Sequence, residues 1–166
     1  GRQGADIEVV GCTRGLPGGG FIYTNLDSVA IGVVVSLVEH GRRGHRPEDL
    51  IADFKAHPSI APLVEGGTLL EYSAHLIPEG GYKHMPDLAK DGFLVAGDAA
   101  GMCLAAGLWL EGVNFAIGAG IAAGETAVEA LARGDTSRDG LGGYRRRLEA
   151  GFVLADHKRF RGAPDL

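Results

Sequence analysis

Asp98 is the side chain best set to do chemistry. It stands between Gly97 and the small residues Ala99, Ala100 and Gly101, directly after the apolar run Phe93 to Ala96. A short apolar run stopped by glycine has the length of a buried strand. A carboxylate just past a strand end can accept hydrogen bonds from ligand hydroxyls, and small residues beside it let a ligand approach the backbone. Downstream, Gly112, Val113 and Asn114 open a helical pattern in which Ala116, Ala119, Gly120, Ala123 and Ala127 recur three or four apart. The first N–H groups of such a helix have no intrahelical partners and favour negative charge. Strand, small-residue turn and helix together can present one carboxylate and several N–H groups to a cofactor. The same spacing suits a plain strand-turn-helix in which Asp98 is a cap and the Gly/Ala face packs on a sheet, so the motif alone leaves both readings open.

Other polar residues point less clearly to chemistry. His75 shares a strand face with Glu71 and Ser73; it could carry a proton near neutral pH, but an orienting hydrogen-bond role in a sheet is favoured. Tyr23 is read as a sheet-packing residue rather than a catalytic acid. The six histidines show no H-E-x-x-H spacing. Cys12 and Cys103 form no C-x-x-C pair, so neither an iron–sulfur nor a structural zinc site is legible, and their low number suits a reducing compartment. Gly15 and Gly20 have phosphate-loop spacing, but Phe21 and Ile22 stand where Lys and Ser/Thr are needed. Gly118 to Gly124 imitates a dinucleotide fingerprint with one extra residue; it lies inside the helical run and is read as packing glycines.

The elements that must position these residues follow from pattern. Ile7 to Cys12 is a short strand. Gly20 to Thr24 and Ser28 to Leu37 are rich in β-branched and aromatic residues and are joined by Asn25 to Asp27, which predicts an antiparallel hairpin. Gly41 to Arg46 is a basic loop, read as a solvated turn, with contact to an acidic partner or anionic lipid as the alternative. Pro47 to Lys55 opens with Pro and two acids, as a helix does. Pro62 to Gly67 is a second short helix or turn. Thr68 to Ile77 alternates as a strand and is ended by Pro78 to Gly81. Leu141 to Arg161 is the last helix, with Tyr144, Leu148, Phe152 and Ala155 on one face. Its arginines and Lys158 form a solvated face or touch phosphates or a redox partner.

With 166 residues the chain fits one domain or parts of two. A net charge of −5 argues against a nucleic-acid partner. No signal peptide is visible. The run from Leu104 to Leu131 is interrupted by Glu111, Asn114 and Glu125 and is read as a buried helix rather than a membrane span.

Val95 to Gly101 (VAGDAAG), followed by Glu111 to Ile117 (EGVNFAI), resembles the second FAD-binding motif of the glutathione-reductase-like and flavoprotein-hydroxylase superfamily. Gly11 to Asn25 and Leu70 to Gly81 narrow the resemblance to the FixC and electron-transfer flavoprotein:quinone oxidoreductase branch of the geranylgeranyl reductase-like enzymes. The resemblance implies an α/β fold: residues 1–88 as part of a mixed-sheet substrate domain, and residues 89–166 as the C-terminal part of a Rossmann-like FAD-binding domain. It implies FAD as cofactor, held by Gly97, Asp98, Ala99, Gly101, Gly112, Val113 and Asn114, with catalytic side chains unassigned. Electron-transfer flavoprotein is the implied donor, with quinone or a separate ferredoxin as acceptor. The implied location is cytoplasmic, with at most peripheral contact at the inner face of the membrane. Isoprenoid reduction and a non-catalytic dinucleotide-binding module are the alternatives. Such flavoproteins open with a G-x-G-x-x-G unit that holds the pyrophosphate; none is present, so these residues are expected to be the C-terminal part of a longer enzyme, inactive alone.

Overall fold

The computed structural model describes residues 3–105 and 110–163. The fold is mixed α/β, with small antiparallel sheets and six helices among the described residues. Residues 106–109 of the apolar run from Leu104 lie outside the described residues. The chain divides into two compact units, Gly1–Ser73 and Ala74–Leu166.

In the first unit β1 (Asp6–Val10), β2 (Gly18–Thr24) and β3 (Val29–Val35) form an antiparallel sheet in that order. The expected hairpin is present, closed where the Asn25 N–H donates to the Ser28 carbonyl at 2.9 Å. Ile22 pairs with Ile7 and Ile31, so these three share the inner face. Helix α1 (Leu37–Arg43) follows, then α2 (Pro47–Ala56) and α3 (Ala61–Val64). Pro47 at the helix start, with Glu48 and Asp49 in the first turn, suits the missing N–H partners and the dipole there. Leu50 and Phe54 of α2 are buried, and Phe54 joins Ile22 and Ile60 in a core flanked by Val9, Ile31, Val33 and Ile51. A Cβ on Gly20 would lie 2.6 Å from the Phe54 ring, so glycine there sets how closely helix and sheet approach. On the other sheet face Tyr23 stacks on Phe21 at 4.7 Å, the packing role expected of it.

Two expectations fail in and after this unit. Gly41, Arg42 and Arg43 belong to α1 rather than to a basic loop; the helix stops only at Gly44, whose left-handed backbone returns its N–H to the His40 carbonyl. Thr68 to Ile77 keeps its alternating pattern but forms no strand. A strand exists only when its N–H and C=O groups find a neighbour, and none does so among the described residues. His75, exposed there, has no sheet to orient it.

In the second unit, a single 3-10 turn at Tyr82–His84 precedes β4 (Ala89–Lys90), which pairs antiparallel with β5 (Phe93–Leu94). The buried strand expected over Phe93 to Ala96 is instead half of a tight hairpin, and Phe93 is 54% exposed. Asp91 and Gly92 make the two-residue turn, with Gly92 left-handed and Asp91 not, so glycine is required at the second turn position alone. A second ribbon, β6 (Leu104–Ala105) with β7 (Leu110–Glu111), leads into α4 (Val113–Arg133), the expected long helix. The single last helix is two: α5 (Gly143–Ala150) and α6 (Phe152–Arg159). Gly151 is extended (ψ −176°) and rotates the apolar face. Tyr144 and Leu148 are buried as expected, but Val153, Leu154 and His157 replace Phe152 and Ala155 inside. Phe115, Ala119 and Ala122 of α4 pack with these side chains and with Met102 in one core. Helix α4 is long and apolar enough, by length and composition, to cross a membrane; this core covers one face of it.

Candidate functional site

Gly97 to Ala100 make one 3-10 turn. The Gly101 N–H closes on the Asp98 carbonyl at 2.8 Å, and the Met102 N–H on the Gly97 carbonyl at 3.1 Å. Gly97 (φ 65°) and Gly101 (φ 67°) are both left-handed, a conformation that strains side-chain-bearing residues. The turn therefore needs glycine at both ends. It also packs closely, since a Cβ on Gly97 would stand 3.2 Å from the Ala116 Cβ of α4. Gly97, Ala100, Met102 and Cys103 are buried, whereas Asp98 and Ala99 face solvent.

The structure brings Asp98 and the start of α4 together. A Cβ on Gly112 would lie 3.3 Å from Asp98 Oδ1 and 3.4 Å from Cys103 Sγ. Gly112 is the N-cap of α4, and no side chain caps this helix start. Val113 and Asn114 are exposed in its first turn, and Asn114 Nδ2 donates to Glu111 Oε2 at 3.2 Å. Asp98 caps neither its own turn nor α4. Its carboxylate has no hydrogen bond or ion pair with another described residue. A bare carboxylate beside left-handed glycines and an uncapped helix start suits a group that offers hydroxyls and an edge able to take negative charge. Gly97, Asp98, Ala99, Gly101, Gly112, Val113 and Asn114 thus lie in two adjoining pieces of backbone, the turn and the helix start.

Several residues that support this arrangement were not legible as such. Tyr144, fully buried, donates its hydroxyl to the Val95 carbonyl at 2.9 Å and so ties α5 to the chain entering the turn. Burial pushes its phenol up to about 12, so it acts only as a donor near neutral pH. Arg147 reaches from α5 to Glu125 at 3.2 Å and to Glu129 on α4. Phe115, in the first turn of α4, meets the edge of the His157 ring at 4.4 Å and the Phe152 ring at 5.9 Å. His157 donates from Nδ1 to the Val153 carbonyl at 2.6 Å, which assigns the ring proton to Nδ1; Nε2 is buried and has no partner among the described residues. Burial lowers the His157 pKa and keeps the ring neutral. Cys103 is pushed up to about 11, first by burial and then by the negative charges of Asp98 and Glu79. It stays a thiol at neutral pH and is no nucleophile. Helical spacing marks Tyr144 as a core residue but says nothing of where its hydroxyl points. No signal marks His157, because the helix break at Gly151 decides which face turns inward.

Among the described residues no group of His, Cys, Asp and Glu side chains could hold a metal ion. In the first unit, a groove between α2 and α3 is lined by Ile51, Ala52, Pro58, Pro62 and Val64 with charges at its rim, and offers no converging polar set.

No protein-family model matches the chain. Curated proteins do, over nearly its whole length. The chain is 42% identical over 167 residues to the probable electron transfer flavoprotein-quinone oxidoreductase YdiS of Escherichia coli K12. It is 44% identical over 166 residues to Protein FixC of the same strain, and 40% identical over 168 residues to Protein FixC of Bradyrhizobium diazoefficiens. These matches take in 99–100% of this chain but only 38–39% of the relatives. The chain thus matches the FixC and electron-transfer flavoprotein:quinone oxidoreductase proteins that its motifs resemble, and spans about two fifths of their length.

Proposed function

We propose that these residues form the flavin-contacting part of an FAD-dependent oxidoreductase that passes electrons from electron-transfer flavoprotein to quinone or to a separate ferredoxin. One observation carries the proposal: the Asp98 carboxylate, without a partner among the described residues, stands 3.3 Å from where a Cβ on Gly112 would be, at a start of α4 that no described side chain caps. The likeness to a protein named as a probable electron transfer flavoprotein-quinone oxidoreductase supplies the class of reaction.

In this scheme Asp98 accepts a hydrogen bond from a ribityl hydroxyl of FAD. Gly97, Ala99 and Gly101 keep side-chain bulk out of the way. Gly112, Val113 and Asn114 offer backbone N–H groups to the ring edge that becomes negative on reduction, and Gly112 leaves room for that approach. The flavin supplies the redox chemistry, while the protein supplies orientation and electrostatics. Residues 89–166 belong to the FAD-binding, Rossmann-like part and residues 1–88 to the substrate sheet. The location is cytoplasmic, with at most peripheral contact at the inner membrane face.

The test is made on the protein produced at the full length of its relatives. It should purify with flavin absorbance and take electrons from reduced electron-transfer flavoprotein. A colourless protein would remove the cofactor assignment. A flavoprotein that reduces isoprenoid double bonds and ignores electron-transfer flavoprotein would replace the donor and acceptor.

A further inference from the structure

The first two turns of α4 are gripped from two sides within the second unit. On one side Ala116 packs against Gly97, where a Cβ would stand 3.2 Å from the Ala116 Cβ. On the other lies α6. The His157 ring meets the Phe115 ring edge-on, with centroids 4.4 Å apart. A Cβ on Gly118 would fall 2.8 Å from the Phe152 ring and 2.9 Å from Val153 Cγ2. Phe115 and His157 are buried, and further polypeptide around this unit would not undo that. Helix α6 therefore fixes where α4 begins, and Gly112, Val113 and Asn114 stand at that beginning.

Among the described residues His157 is the one ionisable side chain in this grip. No residue of α4 from Val113 to Gly124 is ionisable. On α5, which packs on α6, Tyr144 is held as a phenol by burial, and Arg147 is paired with Glu125 and Glu129. On the 3-10 turn that packs on α6, Tyr82 is half-buried, and Lys83 and His84 are exposed. Burial keeps the His157 ring neutral against smaller opposite pulls from the Val153 carbonyl and from Asp156 on its own helix. A proton on Nε2 would set a cation in an apolar core, near the positive end of the α4 dipole. The core relieves that charge by letting the ring out, and the ring takes its hold on Phe115 with it.

We propose that His157 is a positioning residue for the flavin contact: neutral, its ring locks Phe115 and with it the start of α4 beside Asp98; protonated, it loosens that start and weakens FAD binding. The inference rests on the flavin reading of this site. It adds a proton to the binding equilibrium, since FAD bound in acid must displace one proton from His157.

The test uses the protein at the full length of its relatives, with FAD itself as the probe. Affinity is measured by fluorescence quenching from about pH 7.5 to about pH 5 for wild type and His157→Phe, with circular dichroism confirming the folded state at each pH. Phenylalanine keeps a ring against Phe115 and takes no proton. One linked proton changes affinity by at most about tenfold per pH unit, so wild type should lose about tenfold more affinity across this window than His157→Phe. Asp98 and every other titrating group are common to both proteins, so the difference between the two profiles belongs to His157. His157→Asn keeps an amide donor for the Val153 carbonyl without a titrating ring; it should follow the His157→Phe profile, and it serves in place of that variant if the latter does not fold. FAD binding with the same pH profile in wild type and variant would overturn the inference and leave the flavin reading standing. A wild-type affinity that stays constant over the window would do so without any variant. A protein that binds no FAD at any pH would overturn the flavin reading and this inference with it.

Discussion

Two turns in this chain are built from the same materials and end in opposite states. From Thr13 to Leu16 the backbone passes through left-handed Arg14 (φ 53°) and Gly15 (φ 77°). Its polar groups are spent internally. Thr13 Oγ1 donates to the Leu16 carbonyl at 2.7 Å, the Leu16 N–H returns to the Thr13 carbonyl at 3.0 Å, and Arg14 closes on Asp53 at 2.6 Å. The Arg14 guanidinium holds the Asp53 carboxyl below its ordinary range. From Gly97 to Gly101 the backbone is again left-handed at two positions, yet the Asp98 carboxylate meets no donor among the described residues. Glycine-rich turns are therefore no guide to function by themselves. What separates the two is whether the charge on the turn has been used, and whether the surrounding core holds it in place.

The contrast breaks most completely if the support under the second turn is removed. Phe115→Ala deletes a ring that is 1% exposed and packs on His157 and Phe152. We expect a loss of roughly 3–5 kcal/mol by urea unfolding of the second unit, with flavin retention falling in parallel; an unchanged midpoint would show that α4 is held some other way.

Gly112→Val tests the space between turn and helix. Its side chain starts 3.3 Å from Asp98 Oδ1. We expect lower flavin occupancy, or a more negative midpoint potential reflecting about 0.3–2 kcal/mol of lost helix-start stabilisation. Spectroelectrochemical titration reads both. Full occupancy at an unchanged potential would confine Gly112 to a turn-forming role.

Tyr144→Phe keeps the buried ring and removes one hydrogen bond to the Val95 carbonyl. Thermal or urea unfolding should show a loss of about 0.5–1.5 kcal/mol. A larger loss would mean that the hydroxyl orders more of the turn than this one contact.

The smallest effect is one of pH. Burial lowers the His157 pKa in the folded state, so the unfolded chain takes up the proton first. Stability is complete above the unfolded pKa of about 6.5 and falls as pH drops below it. Melting temperatures at successive pH values below neutrality should decline less steeply for His157→Phe than for wild type. Equal slopes would place the acid sensitivity in other groups.

Much of this was legible in the sequence where the signal is local. The hairpin of β2 and β3, the Pro47 start of α2, and the Gly112 start of α4 depend on turn chemistry and periodicity within a few residues. Gly97 and Gly101 are legible as small residues at a tight turn, but not as left-handed positions. Illegibility begins where a partner decides. Thr68 to Ile77 has the pattern of a strand but no neighbour among the described residues. Phe93 to Ala96 has the apolar run of a buried strand, but the Asp91-Gly92 turn beside it folds Phe93 and Leu94 back on β4. The break at Gly151 changed which side of the last helices faces inward, and with it the identity of His157 as a core residue. For the site, the type and spacing of Asp98 and Gly112 were visible. Their approach to one another, and the hydroxyl of Tyr144 that helps fix it, arise from packing that no spacing records.

The most direct test compares the two turns in one titration. FAD affinity should be measured by fluorescence quenching for wild type, Asp98→Ala and Asp53→Ala, each at the full length of the relatives, with unfolding curves recorded alongside. Losing a hydrogen bond to a charged group costs about 1.5–3 kcal/mol, so Asp98→Ala should bind FAD roughly ten- to a hundredfold more weakly at unchanged stability. Asp53→Ala should lose a little stability and no affinity. Wild-type FAD affinity in the Asp98→Ala protein would contradict the assignment of this turn as the cofactor's anchor.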